Sequence, residues 1–223
     1  MAAQPRPRLP LSRERILEAA LALVDESGIE SLTMRKLGQE LGFEAMSLYN
    51  HVANKDDLLD GILDLVLAES EQPSPLGEWD AAIRTSAISV HDALRRHQWA
   101  CPLLMLPGRI RPARLQYMDA LLGRLRDAGF SAETTFTAYH VLDGHILGFS
   151  LWEASHTYSD VDVAEMTERF QTTITPAAYP HLHEHAQQHF NEGPHSDVRA
   201  FEFGLDLILD GLRKIHAGET PGR

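Results

Sequence analysis

Apolar residues return every three or four positions through most of the chain, the spacing of one buried helical face. Ile16, Leu17, Ala20, Leu23 and Val24 form the first such stripe, opened by Ser12 as a potential N-cap and closed at Gly28. Thr33 can cap a short second helix carrying Leu37 and Leu41, which Gly42 stops. A third begins near Glu44 and turns Leu48 and Val52 inward. Asn54 can cap a fourth, in which Leu58, Leu59, Ile62, Leu63 and Val66 repeat before the loop at 72–77, rich in proline and glycine.

Beyond that loop the pattern predicts helices over 78–97, 113–128, 131–154 and 196–216, with a short irregular one near 162–171. The prolines between 102 and 112 predict a bend over the region where a ligand would sit. The histidine-rich segment 176–195 reads as mobile chain. No period-two alternation and no internal repeat is found, so the fold class is all-α.

Composition narrows the function. The chain has 223 residues and a formal charge of −12, which argues against a protein that coats nucleic acid non-specifically. Charge is unevenly placed, however. Arg6, Arg8, Arg13 and Arg15 face only Glu14 near the N-terminus, although residues 1–60 carry seven basic against ten acidic side chains. DNA, if bound, is expected to be held by a few placed contacts. The one cysteine, Cys101, forms no internal disulfide, and residues 1–12 lack the apolar run of a secretory signal, so a cytoplasmic location is the default expectation. The apolar window 58–68 is interrupted by Asp60 and Asp64, and no membrane segment is expected.

Two short helices joined by a tight glycine turn suit DNA reading, one helix crossing the backbone while the next enters the major groove. With Leu48 and Val52 inward, Glu44, Ala45, Ser47, Asn50 and His51 lie on the outer side of the third helix, within reach of base edges. Thr33 and Arg35 open the second helix, and Tyr49, His51 and Lys55 are potential phosphate partners.

Residues 32–59, LTMRKLGQELGFEAMSLYNHVANKDDLL, resemble the DNA-binding segment of the TetR family in the threonine cap, Arg-Lys-Leu, the turn glycine and Leu-Tyr-x-His-Val-x-Asn-Lys. The resemblance implies that Thr33 and Arg35 contact DNA, that Ala45, Met46, Ser47, Asn50 and His51 face the groove, and that Tyr49 and Lys55 grip phosphate. Residues 201–212, FEFGLDLILDGL, look like the last helix of the tetracycline-repressor branch, with Trp79, Arg111-Pro112, Gly129 to Ser131 and Gly144 to Gly148 in matching order. It therefore implies a flexible basic arm (1–11), a three-helix helix-turn-helix domain (12–60) and a larger C-terminal ligand-binding and dimerisation domain (61–223), divided inside the fourth helix. The expected activity is that of a homodimeric repressor released from a palindromic double-stranded operator by a small-molecule inducer, without enzymatic activity or cofactor.

That branch joins its subunits through a four-helix interface, which would involve Gly144, Gly148, Phe201, Leu205, Ile208, Leu209 and Leu212. A face of this kind could also pack within its own subunit. The implied pocket lies among the helices beginning near residues 78, 113 and 131, with Ser86, Val90, Leu106, Ile110, Arg111, Tyr139, Asp143 and Glu153 as candidate lining. Pro107 stands where the branch has a metal-binding histidine, so tetracycline is not the expected inducer.

The rival reading is a metal-responsive or metal-binding helical protein, since His181, His185 and His189 repeat at i, i+4 with Glu184 and His195 nearby in 181–195. An enzyme is not indicated: no P-loop, Gly-x-Gly-x-x-Gly turn or Gly-x-Ser-x-Gly elbow is present. His91, His140 and His145 could turn inward, although a lone helical histidine is usually a satisfied structural residue.

Overall fold

A computed structural model describes residues 10–106, 111–155, 169–170, 172–192 and 196–219, without the side chains of 188–192 and 196–198. Among these residues it is helical, with ten α-helices and no strand. The first four are α1 (Arg13–Ser27), α2 (Met34–Leu41), α3 (Ala45–Leu48) and α4 (Lys55–Ala68), with a 3-10 turn at Ile29–Ser31. The hydroxyls of Ser12 and Thr33 and the amide oxygen of Asn54 accept the N–H groups of Arg15, Lys36 and Asp57, so each expected cap is formed. Gly42 ends α2 at φ 74°, a left-handed conformation that a Cβ would disfavour.

The larger body comprises α5 (Trp79–Arg96), α6 (Ala100–Leu104), α7 (Pro112–Asp127), α8 (Ala132–Ser155), α9 (Pro180–Glu192) and α10 (Ser196–Glu219). Two elements depart from the sequence expectation. The bend starting at Pro102 is preceded and partly occupied by α6, because Pro102 falls in its first turn, where no intrahelical N–H is required. The histidine-rich stretch is helical from Pro180, again a proline in the first turn, and it buries Ala186. The short helix expected near 162–171 falls largely outside the described residues.

Apolar burial separates into two cores that share α4. Ile16, Ala20, Leu23, Val24, Leu32, Leu37, Leu48 and Val52 close around Leu58 and Ile62 of α4. Leu63, Val66 and Leu67, one turn further, belong to the core of the larger body. In that body α8 packs against α5, α7 and α10. Its inner stripe of Thr135, Ala138, Tyr139, Leu142, Ile146 and Ser150 follows helical spacing. Arg84 of α5 pairs with Glu202 at 2.6 Å and Asp206 at 2.7 Å, and Arg213 with Asp80, tying α10 to α5.

Burial divides the residues expected at a subunit interface. Phe201, Leu205 and Leu209 are fully buried and Leu212 nearly so, all within the subunit's own core. Placing these four on an outer interface is thus corrected: α10 lies on its own α5 and α8, and this face is consumed there. The outer side of the α8–α10 pair instead shows Phe203, Leu207 and Ile215 of α10 with Phe136, Val141 and Trp152 of α8 exposed. Ile208 lies half-buried beside an apolar groove of about 220 Å³ between the two helices. Gly144 and Gly148 have open space where a Cβ would stand.

Candidate DNA interface and ligand region

The recognition segment is a short rod set on a rigid base. The first core buries Leu37 and Leu48, fixing α2 against α3. Gly38 allows the close crossing, since a Cβ there would stand 2.8 Å from the carbonyl oxygen of Phe43. Regular helix ends at Leu48, earlier than the sequence suggests. Turn bonds then carry the chain on, His51 N–H and Val52 N–H both donating to the Leu48 carbonyl at 2.9 and 3.0 Å. Val52 is buried as expected.

This leaves Met46, Tyr49 and Asn50 exposed beside half-buried Ala45, Ser47 and His51, with Met46 at 75% the most accessible apolar side chain of the segment. Thr33, Arg35 and Lys55 are exposed at the starts of α2 and α4. Thr33 keeps its hydroxyl hydrogen available while its oxygen caps α2. The nine residues assigned to DNA are therefore all accessible, on α2, on α3 with its following turn and at the start of α4.

A clamp not legible in the sequence holds the far end of this segment. Arg13 makes a bidentate pair with Asp57 at 2.7 and 2.8 Å and donates to the His51 carbonyl at 3.2 Å. Asp57 also accepts the Ala53 N–H at 2.8 Å. The Arg13 bond and the Ala53 N–H together hold the Asp57 carboxyl below its ordinary range. Arg13 counts toward the basic arm by composition, yet its guanidinium is engaged inside the domain.

The expected ligand region proves to be a packed polar interior. Ser86, Val90 and Tyr139 are buried, and the Ser86 hydroxyl donates to the Glu71 carbonyl at 2.6 Å. Arg114 reaches both oxygens of Asp143, at 2.5 and 2.6 Å, and lies 3.5 Å from the Tyr139 hydroxyl. Burial pushes the Tyr117 phenol well above its ordinary value; burial and then Asp143 do the same for Tyr139. Arg114 and Tyr117 complete a cluster from α5, α7 and α8 that the sequence reading missed, for no local spacing announces a pairing across 29 residues.

Other candidates do not join that cluster. Arg111 is buried against Asp60 at 3.3 Å and donates to the Leu103 carbonyl at 3.2 Å, tying the start of α7 to α4. Glu153, ten residues beyond Asp143 on α8, lies 3.1 Å from Arg95 and 3.3 Å from the Nε2 of buried His91. Leu106, two residues beyond the end of α6, is 50% exposed. Ile110 and Pro107 lie outside the described residues.

The histidines are structural partners. His91 bonds to Ser150 at 2.8 Å and stacks on Phe201, with ring centroids 3.8 Å apart; burial, then Arg95 and His145, lower its pKa to about 4. His145 bonds to the Phe201 carbonyl, and exposed His140 bonds to the Phe136 carbonyl of its own helix. Among the described residues no group of three histidine, cysteine or acidic side chains could hold a metal; His195 and the side chain of His189 lie outside them. No helix of the described residues is long and apolar enough to cross a membrane.

A small helix-turn-helix unit whose polar face is exposed, continued through one shared helix into a larger helical body with a polar interior, defines a DNA-binding regulator that carries its own sensor. The chain belongs to the TetR family. Residues 16–62 match the bacterial regulatory proteins of the tetR family, and residues 72–216 match the tetracyclin repressor-like C-terminal domain. The chain is 30% identical to the HTH-type transcriptional repressor DrrR1 of Streptomyces coeruleorubidus, over 96% of this chain and 80% of that protein. It is 32% identical to the class D tetracycline repressor protein of Escherichia coli, over 89% of this chain and 93% of that one. The crystal structure of the Streptomyces coelicolor TetR family protein ActR in complex with actinorhodin superposes with a TM-score of 0.74 at 28% identity, covering 91% and 95% of the two chains. The protein is accordingly a ligand-responsive, DNA-binding transcriptional repressor of a dimer-forming, non-enzymatic family.

Proposed function

We propose that this repressor binds a palindromic operator in the cytoplasm through Thr33, Arg35, Ala45, Met46, Ser47, Tyr49, Asn50, His51 and Lys55, and leaves it when a small organic molecule enters between α5, α7 and α8. The observation that carries the reading is the accessible face of α2, α3 and the start of α4 on a fully packed base. Met46 is suited to apolar contact with a thymine methyl, Asn50 and Ser47 to base-edge hydrogen bonds, and Tyr49 and Lys55 to phosphate. The division between reading head and body falls inside α4, near residue 60, where burial passes from one core to the other.

The inducer is a small organic molecule, a reading that the complex of the similar protein ActR with actinorhodin supports. Ser86, Tyr117, Tyr139 and the Arg114–Asp143 pair offer donors and acceptors at one place in an otherwise apolar body. Two copies meet across the outer side of α8 and α10, where Ile208 shares a groove with Leu207 and Ile215, Phe203 is exposed, and Gly144 and Gly148 leave open space. Binding then acts by differential affinity for two subunit arrangements, one of which sets the recognition helices at the operator spacing.

Fluorescence anisotropy with duplexes of the upstream DNA tests the proposal. Sequence-selective binding by two protomers, weakened in Tyr49→Ala and Lys55→Ala, is expected. Ligand-stripped protein that selects no duplex from a random-sequence library would refute it.

A further inference from the structure

The reading head touches the body at a second place besides α4. Leu21 of α1 and Trp99, between α5 and α6, each pack against both hydrophobic cores. Beside them His97, 7% exposed, ends α5 and joins three elements. Its Nδ1 lies 2.8 Å from an Asp25 carboxylate oxygen late in α1, and its Nε2 lies 3.1 Å from Glu69 at the end of α4. The same Asp25 oxygen accepts the indole N–H of Trp99 at 2.8 Å, and Arg96 holds the other oxygen of Glu69 at 2.7 Å.

We propose that Asp25, His97 and Trp99 form a strut that sets the angle of the DNA-binding domain on the body, and with it the half-site spacing the dimer accepts. A domain joined through one helix can pivot about it. A second contact, at a distance from that helix, removes the pivot. Asp25 is well placed for this, because α1 packs on both α2 and α4, and α2 on α3, so a displacement at His97 passes through a close-packed core to the recognition segment. In a two-fold dimer the same angle, applied twice, determines the separation of the recognition helices, about 34 Å for successive major grooves. The three are positioning residues that touch no base. This inference rests on the operator reading above.

The experiment selects an operator from a random duplex library with the wild-type full chain. Affinities are then compared for that duplex and for the same duplex with one base pair inserted at its dyad. His97→Gln, Asp25→Asn and Trp99→Phe are measured alongside the wild type, the last removing only the indole donor while retaining an aromatic ring. The inserted base pair is expected to cost the wild type at least about tenfold in affinity, and that penalty should shrink at least threefold in the variants. A merely structural role would weaken both duplexes equally and leave the ratio unchanged. An unchanged ratio in the variants that fold overturns the strut while leaving the operator reading intact. A wild-type chain that selects no duplex overturns the operator reading and the strut together.

Discussion

Composition groups Arg13 with Arg6, Arg8 and Arg15 in a basic N-terminal stretch of a kind that can neutralise DNA phosphate, whereas the structure commits it to Asp57 and the His51 carbonyl. The two roles differ in a measurable way. Each phosphate neutralised on duplex DNA contributes about 0.9 to the slope of log K against log salt, so a contact made once per subunit contributes about 1.8 in a dimer. Lys55, exposed at the first position of α4, is the residue proposed to hold phosphate. Lys55→Met should therefore flatten the salt slope by about 1.8, and Arg13→Met by less than about 0.5. Arg13→Met should instead cost stability. The ion pair is 44% and 33% exposed at its two ends, and solvent screening limits it to about 0.2–1 kcal/mol. The bond to the His51 carbonyl adds about 1 kcal/mol. Together these correspond to a loss of roughly 2–8 °C in Tm, with weaker operator binding because the turn after α3 is no longer clamped. Anisotropy titrations across a salt series, paired with thermal melts, read both quantities. A drop of about 1.8 in the slope for Arg13→Met, with an unchanged melt, would show that Arg13 leaves Asp57 for the backbone of DNA and would refute the clamp.

Three further outcomes follow from packing and titration. Leu48→Ala, at a fully buried side chain between α3 and the first core, should cost about 2–5 kcal/mol in denaturant unfolding; a cost near zero would mean that α3 is loosely seated. Gly204→Ala would put a Cβ 2.6 Å from the His145 imidazole, which bonds to the Phe201 carbonyl and stacks on the Phe201 ring. It should destabilise the body by about 1–3 kcal/mol, and an unaltered Tm would contradict it. His91 stays neutral in the folded chain down to about pH 4 against an ordinary value of 6.5. The unfolded chain thus takes up a proton first, and stability is lost as pH drops from 6.5 to about 4, by up to about 3 kcal/mol. His91→Gln should remove this share of the slope, and parallel wild-type and variant pH profiles would rule it out.

Helical periodicity and caps made most elements legible, because both are local. Ser12, Thr33 and Asn54 each bind an N–H three residues away, and Gly42 answers a backbone demand at its own position. The accessible face of the recognition segment was legible for a related reason: once Leu48 and Val52 are turned inward, a short helix has only one side left. The helix over Pro180–Glu192 was missed because its polar, histidine-rich surface masks the apolar stripe, although a proline suits its first turn.

Long-range choices lay beyond the sequence. Phe201, Leu205, Leu209 and Leu212 form an apolar stripe that serves equally well for an interface or a core, and only the docking of α10 on α5 and α8 decided for the core. Arg111 and Arg114 are near neighbours in sequence, yet one ties α7 to Asp60 and the other enters the polar interior with Asp143. The sequence by itself determined where helices start, where they stop and which face of the recognition segment is polar, since these depend on interactions within a few residues. Tertiary structure alone decided which charges pair, which apolar face remains exposed and where the two domains brace each other, because those outcomes depend on the relative placement of segments tens of residues apart.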